Sequence, residues 1–174
     1  MKRRITIGIM TVALLLLLAS VGFAADGTVV QSPANYPDDK IRQVIFTCTG
    51  SVTDGSIPDT DTSAPHTLFI TGYRLYRVDA YPTSGGTAPD AADVFILDEN
   101  GLDLLGSEDG GTTAYGGLNL IHATLARTTF PDAYIPRAGV HALYQPYVTG
   151  ALTLKVLNQA THSANYTIVL SFTK

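Results

Sequence analysis

The chain has 174 residues, a formal net charge of −4, 45% hydrophobic residues and one cysteine. That acidity disfavours a nucleic-acid surface, which needs clustered cations to displace phosphate counterions. One cysteine excludes an internal disulfide framework, so an apolar core has to supply the stability.

The chain opens on a leader. Met1-Lys2-Arg3-Arg4 is basic, residues 5–18 are apolar apart from Thr6, Gly8 and Thr11, and Gly22 and Ala24 precede Ala25. This layout predicts a secretory signal peptide over residues 1–24, with small residues in the −3 and −1 places. The uncharged run is also long enough to stay in place as a membrane-anchor helix. Without residues 1–24, 8 basic residues face 15 acidic ones, a net charge of −7 that favours solubility. What remains is about one domain's worth of chain.

Residues 25–40 are polar, carry Pro33 and Pro37 and show no periodicity, which predicts an extended N-terminal arm, loose or packed on a neighbouring subunit. Residues 41–174 then form the domain. The β-branched run 41–49 predicts a strand with Val44, Phe46 and Cys48 on one face and Gln43, Ile45 and Thr47 on the other. No histidine is near Cys48 in sequence, so the thiol reads as a small buried hydrophobe rather than a nucleophile. A Gly/Ser/Asp/Pro loop over 50–65 leads to strand character over 67–81, bent at Gly72. Past the bend, Arg74, Tyr76 and Val78 alternate against Tyr73, Leu75 and Arg77.

A second breaker-rich loop covers 82–90, and 91–97 predicts a strand with Ala92, Val94 and Ile96 opposite Asp93, Phe95 and Leu97. Asp98-Glu99-Asn100-Gly101 is hairpin-turn chemistry, with 102–105 as the short partner. Residues 106–117 hold five glycines and read as a loop; 118–125 and 138–147 are weaker strands. The closing hairpin is plain. Leu152, Leu154 and Val156 alternate inward over 150–157, and Tyr166, Ile168, Leu170 and Phe172 over 165–173.

No segment past the leader carries a long apolar stripe at helical spacing. About seven to eight short strands joined by Gly/Pro-rich turns predict an all-β fold, an antiparallel β-sandwich of jelly-roll or Ig-like type behind the N-terminal signal or anchor helix.

Catalytic signatures are missing. His66, His122, His141 and His162 are never two or four residues apart, so no local zinc pair exists. Asp98-Glu99-Asn100-Gly101-Leu102-Asp103 begins like a calcium loop, but its fifth position is Leu102 and its glycine comes too early, so the turn explains it better. Asp54, Asp59 and Asp61 could converge on a cation, and loop solubility accounts for them equally. No nucleophile elbow is present, GSEDGGTTAYGG lacks a P-loop lysine, and pairs such as Glu99 with Glu108 arise in any acidic β protein. Asn165-Tyr166-Thr167 matches a glycosylation sequon but lies inside the strongest strand. The expectation is a non-enzyme with no cofactor, no metal and no catalytic residues.

Nine tyrosines and no tryptophan weaken a carbohydrate-binding platform without removing it. Phe95 and Leu97 put apolar bulk on the face opposite the core, which implies either a second buried layer or a subunit contact.

Three segments carry a family resemblance: DGSIPDT (54–60), ITGYRLYRVDAYPTSGGTAPDAADVFILDENGLDLLG (70–106) and TGALTLKVLNQATHSANYTIVLSFT (149–173). Their loop and hairpin patterns resemble a family of small structural proteins of tailed bacteriophages and prophages. The resemblance implies a non-enzymatic, virion-associated β-sandwich that contacts other virion proteins or copies of itself as a homo-oligomer. Two features depart from the family: Ala92, Phe95 and Leu97 replace Tyr, Thr and Thr, and a leader is added. The leader keeps an alternative in view, an exported binding module in the periplasm or at the cell surface, with the membrane met only through residues 1–24.

Overall fold

The computed structural model describes residues 26–36, 40–90, 92–105, 118–120, 127–129 and 147–174. The predicted leader, the glycine run 106–117, residues 121–125 of the predicted strand 118–125 and nearly all of the predicted strand 138–147 lie outside them, as do His122, His141 and Glu108.

Among the described residues the fold is all-β and sandwich-like, two antiparallel sheets with one short helix. The strands are β1 (Thr28–Asn35), β2 (Ile41–Thr49), β3 (Thr60–Asp61), β4 (Arg74–Pro82), β5 (Ala92–Leu97), β6 (Leu118–Leu120), β7 (Arg127–Thr129), β8 (Thr153–Leu157) and β9 (Asn165–Thr173). One sheet has the order β1-β2-β9-β4-β7 and the other β3-β8-β5-β6. Nesting describes the pairing: β2 lies beside β9, β3 beside β8, β4 beside β7 and β5 beside β6. The contacts β9–β4 and β8–β5 complete the sheets.

One core lies between the sheets. Val44, Phe46 and Cys48 from β2 and Tyr166, Ile168, Leu170 and Phe172 from β9 meet Val94, Ile96, Leu154 and Val156 of the opposing sheet. These are the alternate positions expected from the period of two. Burying each large side chain contributes about 1.5–3 kcal/mol.

Four local features differ from the sequence reading. Residues 28–35, expected as an arm, form the edge strand of their own chain's sheet, running antiparallel to β2 from Thr28↔Thr49 to Asn35↔Arg42. An edge position tolerates Pro33, which has no N–H to donate. Within the predicted loop 50–65, Thr60–Asp61 pairs with β8.

Strand character over 67–81 is corrected at its start, where a helix, α1, occupies Ala64–Ile70. Pro65 sits in its first turn, where a missing N–H costs nothing, and the chain turns out of the helix at Gly72 with φ of +81°. Thr67 also anchors α1 to the loop before it through Thr62 Oγ1 at 2.8 Å.

In β4 the predicted alternation breaks. The register against β9 shifts between Leu75 and Arg77, a bulge, so Leu75 and Val78 both reach the core.

Candidate functional site

The predicted contact residues lie on β5. Its alternation holds, with Ala92, Val94 and Ile96 in the core. The opposite face carries Phe95 across from Lys155, Asp93 across from Leu157, and Leu97 across from Thr153. Phe95 is only 1% exposed and Asp93 5%, within the single chain, whereas Leu97 is half-buried. Phe95 stands outside the main core cluster, so β5 is buried on both faces around it. Asp93 is held there by the Asn158 amide, which donates to its carboxylate.

The Asn-Gly turn closes as a hairpin. Gly101 N donates to Asp98 O at 2.9 Å with Gly101 at φ +80°, and Leu104 N donates to Ile96 O at 2.8 Å. Asp98 Oδ1 accepts from Asn100 N and Leu102 N at 2.8 and 2.9 Å. Buried Asp103 accepts from Ile96 N and Leu105 N at 3.2 and 3.1 Å. These carboxylates organise backbone.

The loop carboxylates weighed for calcium are spread out. Asp54 accepts from Ser56 Oγ and Ser56 N at 2.7 and 3.0 Å, and those bonds hold its pKa below the usual carboxylate value. Asp61 accepts from Thr153 Oγ1 at 2.6 Å. Among the described residues no three His, Cys, Asp or Glu side chains gather closely enough to hold a metal ion.

Cys48 is fully buried, and burial pushes its thiol up to about 12. The thiolate needed for attack is therefore suppressed. Asn165 of the sequon donates to Ser163 O at 2.7 Å and accepts from Thr49 Oγ1 at 3.0 Å, so its amide is engaged within the fold.

Sequence reasoning missed a cleft of about 300 Å³ between β1 and α1, lined by Pro33, Asn35, Pro65, His66 and Phe69. It exists because residues of the edge strand lie beside the helix at the open side of the sandwich. Gln31 ties the two together. Its Nε2 donates to Asp61 O at 2.7 Å, and its Oε1 accepts from Ser63 N at 2.9 Å and from His66 Nδ1 at 3.1 Å. Ser63 Oγ lies 2.8 Å from the same His66 nitrogen.

Beside the cleft, the Arg42 guanidinium stacks between the Phe69 ring, 4.7 Å away, and the Tyr73 ring, 4.2 Å away, and donates to Phe69 O. Arg74 stacks at 4.2 Å on half-exposed Tyr147 and donates to its hydroxyl at 2.7 Å. Leu68, on the same helix, is 78% exposed. This end of the first sheet gathers aromatic and cationic side chains, with Tyr147 and Leu68 exposed.

Comparison of the chain with protein-family models, with curated proteins and with solved structures finds no match.

Proposed function

We propose that the two-sheet fold is a jelly roll and that the protein is a non-enzymatic structural component of a phage or phage-like particle. As a head decoration, neck or other minor component, it acts through contacts with other virion proteins or with copies of itself. The single observation that carries this reading is the nested strand order. β2 through β9 pair outermost with outermost and innermost with innermost, as one long hairpin does when it rolls into two four-stranded sheets. β1 is then added at an edge. Jelly rolls of eight strands are a recurring architecture of viral capsid domains. That is an analogy of fold, and it gains weight from the resemblance of the 70–106 and 149–173 segments.

A second reading is an exported binding module. The basic, apolar, small-residue order of residues 1–24 favours it. Density-gradient purification of particles from the producing cells, followed by mass spectrometry, separates the two. The protein in the particle band at a fixed ratio to the shell protein supports the structural role. Its confinement to the periplasm or the medium overturns that role.

A further inference from the structure

We propose that the cleft between β1 and α1 binds the ring of a neutral saccharide, through Asn35 and His66 against a wall made by Pro33, Pro65 and Phe69. This goes beyond the structural reading and does not depend on it.

Size comes first. About 300 Å³ lies at the small end of ligand pockets and suits one or two sugar rings rather than a folded partner. The walls come next. Pro33 and Pro65 have no N–H, and Phe69, whose ring also carries Arg42, adds aromatic carbon, so this side supplies apolar surface for the C–H face of a pyranose. An extended peptide would instead pair with the strand edge, and Pro33 removes a donor from that edge.

The polar groups are placed by the fold. Gln31 is oriented by its own bonds: Nε2 donates to Asp61 O, so Oε1 is the atom that faces Ser63 N and His66 Nδ1. An amide oxygen accepts only, so its contact with His66 requires a proton on Nδ1, an N–H that Ser63 Oγ, 2.8 Å away, then accepts from as well. The Nε2 lone pair is left as an acceptor, and it has no hydrogen-bond partner among the described residues. The Asn35 amide, also without a hydrogen-bond partner among them, adds a donor and an acceptor. Neighbouring hydroxyls on a sugar ring donate and accept side by side, which matches this pair. Among the described residues no Asp, Glu, Lys or Arg lines the cleft, so this lining favours neither a cation nor an anion.

The test is a titration of the isotope-labelled full chain with methyl glucoside, methyl galactoside, methyl mannoside and N-acetylglucosamine, followed by NMR. We expect at least one sugar to produce saturable shifts confined to Asn35, His66, Phe69 and their neighbours, with a dissociation constant in the millimolar range typical of so few contacts. Asn35→Ala and His66→Phe each keep a dispersed spectrum and weaken that binding about tenfold, the loss expected for one or two hydrogen bonds. Three results overturn the proposal: no saturable shift with any sugar, shifts unweakened in both variants, or a proline-rich peptide occupying the cleft when no sugar does.

Discussion

Cys48 and Tyr166 face one another across β2 and β9, both fully buried, and the Tyr166 hydroxyl has no hydrogen-bond partner among the described residues. Burial, with the nearby Cys48 thiol adding to it, raises the tyrosine's pKa well above its ordinary value. A polar atom is thus kept in the centre of an otherwise apolar layer.

An unpaired buried hydroxyl costs the fold about 1–3 kcal/mol of desolvation. Tyr166→Phe removes the hydroxyl and keeps the ring, so the variant is expected to unfold at the same or a higher temperature than the parent. A loss of more than about 1 kcal/mol in denaturant titration would mean that the hydroxyl has a partner.

Phe95 gives a second prediction. Its burial on the far face of β5 means that Phe95→Asp removes a buried ring and places a carboxylate out of water, where half-exposed Lys155 across the strand offsets only part of the desolvation, at a net cost of about 3 kcal/mol. Leu97→Asp, at a half-buried position, is expected to cost about 1 kcal/mol. Asp98→Ala also costs about 1 kcal/mol, because Asp98 receives two turn N–H groups that water can serve instead. Thermal unfolding of the three variants checks the order, and a Phe95→Asp protein as stable as the parent contradicts it.

These contrasts show what was legible. β5 and β9 were readable because their apolar residues recur every second position and one face is wholly in the core. β1 was not, because of the alternate positions Val29, Gln31, Pro33 and Asn35, the first packs on the core while Pro33 and Asn35 stay exposed at the cleft. The helix Ala64–Ile70 is too short for a period of 3.6 to declare itself. One bulge residue in β4 reverses which side chains share a face, and no local composition announces it. The cleft draws on residues 33–35 and 65–69, which only the tertiary fold brings together.

Acid stability supplies a third prediction. Asp90 Oδ1 accepts from Ala160 N at 3.0 Å and from Thr161 N at 3.3 Å, and these bonds, the first foremost, hold its pKa below the usual carboxylate value. A carboxylate whose folded pKa is depressed contributes stability above its unfolded pKa, near 4, and loses it as the pH falls through the folded value. Asp90→Asn cannot titrate, so its melting temperature is expected to fall less than the parent's between about pH 5 and pH 3. Identical acid limbs would show that the Asp90 contacts do not hold in solution.

The structural role is tested most directly by the intact mass of the protein recovered from gradient-purified particles. The account predicts a chain found in the particle band at a constant ratio to the shell protein and carrying residues 1–24. A chain that lacks residues 1–24 and is recovered only outside the particle band would contradict it.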